Sequence, residues 1–413
     1  MTEVQEPITP RARRTYNKLL RSAEEIFEDR GFFRSSVAEI CRRANVSNGT
    51  FYRYFTDKRD IFIEIAEQLG ADLTKEIEGK VLDSREPFDS RLALLLQTYF
   101  SFLRNHSSIY QIFWQAEFVN WNTHQAFYTK LTETLGSVFT QGIDSGYFQE
   151  HDTQLMAHYL LGTLSFVSMR WIIWESYSVD EKVVKSLKEF LIQGLSTEDS
   201  AKNFERPPFT PLQVKNHKNE PELLPKNKSN TRFKLLSAAE HCFGADGFYG
   251  TTIGDITRQA EVAQGTFYHH FSSKLEVFEQ LVREINRRWR EEVEKRTRES
   301  DHRLKVEYEG FRVFFMFIAN HSGMYRIVRE AEFVEKSLGR WYYENFATRY
   351  REALRKASKS GEIRTIHPGV LAYSLMGIGH FLGQKWFVQE NRERTPAPEF
   401  DAMFDLILNG MGI

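Results

Sequence analysis

The sequence predicts an all-α fold, written twice along one chain. Three observations carry this. Apolar residues recur at helical spacing nearly throughout, and no strand-like alternation persists. The stretch GTFYRYF at Gly49 returns as GTFYHHF at Gly265, 265 − 49 = 216 positions later. Aligning Thr15 with Thr231, without gaps to Phe62 and Phe278, gives 20 identities in 48 positions.

The match resumes one residue out of step. NHSSIYQIFWQAEFV from Asn105 pairs with NHSGMYRIVREAEFV from Asn320. Ser145-Gly146, Gly162, Trp171 and Glu175 then match Ser360-Gly361, Gly377, Trp386 and Glu390. A unit of about 200 residues is a whole protein, far longer than a solenoid repeat. The chain therefore reads as a fused tandem of two copies.

In the first copy, TYNKLLRSAEEIFEDRG places Leu19, Leu20, Ala23, Ile26 and Phe27 on one helical face and stops at Gly31. Ser36 caps VAEICRRA, where Val37, Ile40, Cys41 and Ala44 share a face. Asn45 and Val46 make a short turn, Ser47 caps NGTFYRYF, and Asp57 opens KRDIFIEIAEQLG. Helical segments follow over Arg91–His106, Ser108–Phe118, Leu131–Gly142, Asp152–Trp174 and Asp180–Leu195. Thr252, Ile253, Ile256 and Ala260 repeat the second helix in the second copy.

Composition narrows the class. The 413 residues exceed one ordinary core. Two cysteines, Cys41 and Cys242, are too few for a disulfide framework and imply a reducing compartment; both sit on apolar faces and read as core. The first residues lack the apolar stretch of a signal peptide. Tyr159–Trp174 is too short and too polar for a membrane span. A cytoplasmic protein is expected. The net charge of −1 hides local excesses. Arg11–Asp60 holds 12 Lys/Arg against 7 Asp/Glu, and Lys226–Lys274 holds 6 against 4. Basic modules in a neutral chain fit local contact with a polyanion; an ordinary charged helix surface is the other reading.

Two short helices joined by a tight turn form a helix-turn-helix. The second helix must offer small or hydrogen-bonding residues to a DNA major groove. Asn48, Gly49 and Thr50 suit that face. Phe51 and Phe55, four apart, hold the other face against the first helix. Tyr52, Arg53 and Tyr54 are left to reach DNA, and Lys58 adds charge.

SVAEICRRANVSNGTFYRYFTDKRDIF and TIGDITRQAEVAQGTFYHHFSSKLEVF resemble the signature of the TetR family, the tetracycline-repressor-like bacterial regulators. The resemblance is close over each helix-turn-helix and looser beyond it. It implies a transcriptional regulator, usually a repressor, dimeric through its last two helices and released by a small ligand in the C-terminal domain. By position it assigns Ser47, Asn48, Gly49, Thr50, Tyr52, Arg53 and Tyr54 to the groove, with Ser36 and Lys58 at phosphates. The second copy offers Ala263, Gln264, Gly265, Thr266, Tyr268, His269 and His270, with Thr252 and Lys274. Ala263 forgoes a helix cap, worth about 1 kcal/mol. Glu261 would repel phosphate if it faced DNA. The second copy thus either reads DNA more weakly or keeps its helix-turn-helix as a structural part.

The expected organisation is a helix-turn-helix segment over 11–62, a helical ligand and dimerisation domain over 63–195, a linker over 196–230, and the same pair over 231–278 and 279–413. The Pro-, Asn- and Lys-rich linker would span about 30–35 Å as a flexible chain. The terminal helical segments of the two copies are expected to pack together as a covalent pseudo-dimer. Candidate ligand-lining residues are Phe113, Trp114, Glu117, Arg170 and Trp171, with Arg170 as the one cation of an otherwise apolar aromatic cluster, and Glu332, His380 and Trp386 in the second copy. Bulky residues at helical spacing are also ordinary core material. The carboxylates Glu117 and Glu332 either orient a ligand or bond backbone. His269 and His270, adjacent on a helix, diverge by about 100° and are poorly placed to chelate a metal. No phosphate loop, nucleophile elbow or zinc spacing occurs, so neither enzyme activity nor a cofactor is expected. The partners read from the sequence are double-stranded DNA and a small effector, apolar or amphipathic. A ligand-sensing or protein-binding module with a degenerate helix-turn-helix is the alternative.

Overall fold

The computed structural model describes residues 9–175, 179–209, 230–298, 300 and 302–412. Every regular element among them is helical. The first repeat folds as α1 (Pro10–Arg30), α2 (Val37–Ala44), α3 (Asn48–Phe51), α4 (Lys58–Ile77), α5 (Phe88–Asn105), α6 (Ser108–Val119), α7 (Trp121–Asp144), α8 (Thr153–Ser168) and α9 (Glu181–Gln193). A short α10 (Glu198–Asn203) follows. The second repeat gives α11 (Thr231–Gly250), α12 (Ile253–Gln259), α13 (Gln264–His270), α14 (Lys274–Thr297), α15 (Arg303–Asn320), α16 (Ser322–Val334), α17 (Lys336–Lys359), α18 (Pro368–Gly383) and α19 (Ala397–Asn409). No helix of the described residues is long and apolar enough to cross a membrane.

Several boundaries differ from the sequence reading: α3 stops at Phe51, short of the NGTFYRYF stretch, α5 spans Phe88–Asn105 and α9 Glu181–Gln193, and three others shift as follows. α1 begins at Pro10 because Thr9 accepts a hydrogen bond from the Ala12 N–H at 3.2 Å and proline suits the first turn. α7 begins at Trp121, where Asn120 caps Thr123 N at 3.1 Å. α8 ends at Ser168 and passes into a π-helical turn, Met169–Ile173. That turn recurs after α18 at Gln384–Gln389.

Each helix-turn-helix rests on one aromatic triad. Phe62 packs on Phe27 at 5.4 Å and on Phe32 at 5.1 Å between ring centres. Phe278 does the same with Phe243 at 5.4 Å and Phe248 at 5.0 Å. Cys41 and Cys242 are buried, and burial pushes both thiols up, away from the reactive range.

The chain divides into two compact units that do not follow the repeat boundary. The first is Met1–Ala157 with Val167–Val184; the second is His158–Phe166 with Lys185–Ile413. Within the second unit, pieces of the first repeat are built into the second repeat's helices. Gly162 of α8 lies against Gly377 of α18, so close that a Cβ on Gly162 would sit 2.5 Å from the Gly377 carbonyl oxygen. These two glycines are equivalent in the repeat. Gly194 and Gly410, at φ +64° and +73°, are likewise equivalent and likewise abut. Around them Leu195 N donates to Ile407 O at 2.8 Å, Ser196 N to Leu408 O at 2.9 Å, and Met411 N to Leu191 O at 2.8 Å. Contact of a residue with its own equivalent is the local mark of two-fold pairing.

The inter-repeat segment is partly structured. Thr197 and Ser200 form a capping box on α10. Phe204 then meets Phe404 and His302, and Phe209 meets Phe400. Residues 210–229 of the expected linker lie outside the described residues.

Candidate nucleic-acid interface

The turn between α2 and α3 is made by Asn45 in the left-handed region, φ 51° and ψ 52°. Its N–H donates to Arg42 O at 3.1 Å, and Val46 N donates to Cys41 O at 3.0 Å, closing the end of α2. Ser47 opens α3 by accepting from Thr50 N at 3.2 Å. The second copy repeats the turn with Glu261 at φ 55° and Val262 N on Thr257 O at 3.0 Å. A glutamate is strained there by roughly 1 kcal/mol, whereas asparagine tolerates the conformation. Glu261→Gly is expected to stabilise the second unit by about 1 kcal/mol, more than Asn45→Gly stabilises the first. Chemical denaturation of the two variants measures this; an unmoved or lowered midpoint for Glu261→Gly would refute it.

Phe51 and Phe55 are buried, 5.5 Å apart, as are Phe267 and Phe271 at 5.6 Å. The support beneath them differs. Tyr16 stacks on Phe55 at 5.3 Å, while its equivalent Arg232 sets its guanidinium 4.9 Å over Phe271. Ala263 makes no side-chain cap, yet α13 is the longer helix, seven residues against four.

With the phenylalanines inward, the rest of each helix faces out. Ser47, Asn48, Gly49 and Arg53 are exposed, and Thr50 and Tyr54 half-buried. Gln264, Gly265 and His269 are exposed, and Thr266 and His270 half-buried. Tyr52 and Tyr268, each 57% exposed, are the exposed large hydrophobic side chains among the described residues. A Cβ on Gly49 would have only Ser47 Oγ near it, at 3.9 Å, and one on Gly265 would meet nothing within 4 Å. Neither glycine has positive φ. Glycine in such a helix costs about 1 kcal/mol relative to alanine, so nothing inside the molecule accounts for either.

The flanking candidates are more engaged than their positions suggested. Ser36 caps α2, and its hydroxyl donates to Glu39 Oε2 at 2.9 Å. Thr252 makes a capping box with Asp255. Ser36's hydrogen bond holds the Glu39 carboxyl below its ordinary value, against an opposing desolvation and with help from the nearby Arg30. Each phosphate-side hydroxyl thus has a carboxylate beside it. The Lys58 ammonium sits 4.2 Å from the centre of the Phe32 ring and donates to Phe32 O at 2.6 Å and Ser35 O at 2.7 Å. Lys274 does the same with Phe248 O and Thr251 O, both at 2.6 Å. These lysines pin the loop before the reading motif.

The ligand candidates fall into separate groups. In the first unit Phe113 stacks on Phe127 at 3.5 Å between centres, and Trp114 lies 5.2 Å from Tyr110. Glu117 is half-buried beside them on α6. Arg170, expected as a lone cation in an apolar lining, pairs with Glu175 and lies 5.7 Å from the Trp171 ring. In the second unit Glu332 is buried under Gly339, whose Cβ would fall 2.6 Å from Glu332 Cβ. His380 Nδ1 shares a 2.8 Å hydrogen bond with Tyr325 OH. Trp386 is fully buried, 4.8 Å from Phe315. Sequence reasoning missed Gln115 and Glu330, which reach from α6 and α16 to the loops after Gly31 and Gly247. Their only signal was their place just before the repeated AEFV.

A left-handed turn between two short helices, the second with its aromatic face buried and its polar face open, defines a helix-turn-helix DNA-binding protein. The family model described as "Bacterial regulatory proteins, tetR family" matches residues 19–65 and 235–281. The chain is a tandem of two TetR-like units, each carrying one of the matched segments. The fatty acid metabolism regulator protein of Bacillus subtilis is 25% identical over 188 residues, 44% of this chain and 95% of its own. The transcriptional activator FasR of Mycolicibacterium smegmatis is 25% identical over 182 residues, 43% of this chain and 82% of its own. A solved structure of the regulator FadR from Bacillus subtilis, in complex with stearoyl-CoA, is 22% identical with a TM-score of 0.39, covering 42% of this chain and 96% of that one. The matched relatives are transcriptional regulators, and this chain is a DNA-binding regulator rather than an enzyme.

Proposed function

We propose that the chain is a single-chain pseudo-dimeric repressor, working in the cytoplasm on an operator of two unlike half-sites. The observation that carries DNA reading is the pair of exposed glycines, Gly49 and Gly265, where internal packing would accept a side chain. Close approach of an outside body is a physical reason for glycine at the same open position of both readers, and a groove wall is such a body. The readers keep Gly-Thr-Phe-Tyr in common and differ at Asn48/Gln264, Arg53/His269 and Tyr54/His270. Side chains of different length and hydrogen-bonding capacity select different base edges. An imperfect inverted repeat follows. The abutting equivalents Gly162/Gly377 and Gly194/Gly410 support internal pairing in place of a second chain.

Ligand release is the second half of the proposal. An effector lowers DNA affinity only by preferring the DNA-incompetent shape. The aromatic side chains of the helical domains, and the relative named for fatty acid metabolism, favour an amphipathic effector of the acyl-chain class. Binding to the DNA upstream of its own gene, titrated against salt, tests the reading. If roughly six to ten phosphates are contacted, affinity falls about 10³–10⁵-fold between 50 and 200 mM salt. A flat salt response would instead leave the helix-turn-helix units as scaffold around a ligand- or protein-binding module. Binding-site selection returning only perfect palindromes would overturn the asymmetry.

A further inference from the structure

One residue in each repeat is held at both its backbone N–H and its carbonyl. In the first unit Gly31, at φ +73°, ends α1, and Phe32 N–H donates to Gln115 Oε1 of α6 at 2.9 Å. The Phe32 carbonyl is held by Lys58 of α4 at 2.6 Å. Gln115 is itself held, donating through Nε2 to Gln111 Oε1 at 2.8 Å. A Cβ at residue 31 would fall 2.7 Å from the Gln115 amide, so glycine admits this side chain. In the second unit Gly247 has φ +75°, Phe248 N–H donates to Glu330 Oε2 of α16 at 2.7 Å, and Phe248 O is held by Lys274 at 2.6 Å. The geometry is the same; the chemistry is not. Glu330 replaces Gln115, and Arg326 replaces Gln111, with Arg326 Nε 3.4 Å from Glu330 Oε1. Arg326 also donates to the Ala245 carbonyl, just before the non-helical Gly247 interrupts α11. Gln115 and Glu330 are both buried.

We infer that Gln115 and Glu330 are the latches through which each helical domain sets the position of its own reader, and that the two halves carry different latches, a neutral amide pair and a charged pair, so that they release their readers separately. The residue gripped lies in the loop that leads to α2 or α12, and its carbonyl is tied, like that of Ser35 or Thr251 further along, to the helix that follows the reader. A shift of α6 or α16 therefore reaches the loop before the reading motif through this hydrogen bond, joined in the second unit by Arg326 on the Ala245 carbonyl and Tyr249 OH on the Phe333 carbonyl. Burial pushes the Glu330 carboxyl up, while the Phe248 N–H and Arg326 draw it down. Glu330 thus depends on partners that Gln115 does not need, and a displaced α16 loosens its reader by a different amount than a displaced α6. This inference rests on the DNA-reading function proposed above for its consequence, but not for the latch itself.

Amide exchange in the full-length free chain tests the latch, and footprinting on a selected operator tests its consequence. Gln115→Leu is expected to speed exchange at the Phe32 N–H about tenfold or more, leaving Phe248 unchanged; Glu330→Leu should do the converse. The double variant Arg326→Gln/Glu330→Gln, which transplants the first half's own pair, should restore protection at Phe248. On DNA, each leucine variant should lose protection of one half-site only. Exchange that rises at both amides in either single variant overturns the inference, as does unchanged exchange at the targeted one. Failure of the double variant to restore Phe248 overturns it too. A wild-type chain that protects no DNA defeats the reading of the helix-turn-helix, and the amide exchange then decides the latch alone.

Discussion

Gly162→Leu is expected to lower the thermal midpoint of the second unit by about 6–12 °C. The cause is steric and local. At Gly162 the backbone of α8 lies against the Gly377 carbonyl, and the space for a first side-chain carbon is already occupied by backbone. Backbone cannot rotate aside as a side chain can, so the helices must separate, at a cost of about 3 kcal/mol. For a unit of this size each kcal/mol moves the midpoint by about 2–4 °C. Gly377→Leu should act alike, and the two together should cost less than their sum, because both attack one contact. Gly310 in α15 is the control: a Cβ there meets nothing within 4 Å, so Gly310→Ala should stabilise slightly. A Gly162→Leu chain melting with the control would remove the close approach of α8 and α18 as a source of stability. If the internal pairing also sets the spacing of the readers, operator affinity falls with the midpoint.

Gly49→Asp should have the opposite profile, abolishing DNA binding without destabilising the fold. An aspartate in the first turn of α3 suits the helix dipole and has a higher helix propensity than glycine. No neighbouring atom obstructs it, since only Ser47 Oγ would come near, at 3.9 Å. On the operator the same carboxylate would be pressed against phosphates and base-edge acceptors, reducing affinity about 100-fold or more. Gly265→Asp should do this at the other half-site. Footprinting with a thermal melt separates the effects. A Gly49→Asp chain that binds its operator at wild-type strength would show that this face does not meet DNA. A second-copy variant that alone is silent would show that only the first reader is used.

Both predictions start from features the sequence displayed unequally. Phe51, Phe55 and their equivalents were legible because inward phenylalanines four apart leave the rest of the helix outside, and the burial of those rings follows that pattern. The capping residues were equally plain, since a cap acts across three residues. Lys58 was less so. Its charge suggested phosphate, but its ammonium lies against two carbonyls from a loop more than twenty residues earlier, and no local pattern records that partner. Arg170 likewise looked like a lone cation, and a short-range pairing with Glu175 takes it up. Gln115 and Glu330 gave least warning: a glutamine and a glutamate on helix faces are usually solvated, and only the approach of the loop after Gly31 or Gly247 makes them interior.

The sequence by itself determined the duplication, the helical class, the reading helices and the places where the two readers differ. These depend on spacing within one or two turns of helix, and such spacing is written in consecutive residues. Tertiary structure decided which residues of the first repeat join the second unit, which candidate charges are neutralised at home, and what grips the loop before each reader. Apart from the local Arg170–Glu175 pair, those outcomes depend on distances between segments from tens to more than two hundred residues apart, as Gly162 and Gly377 are. Helical periodicity determines which face of a segment is apolar; only packing determines which other segment that face meets.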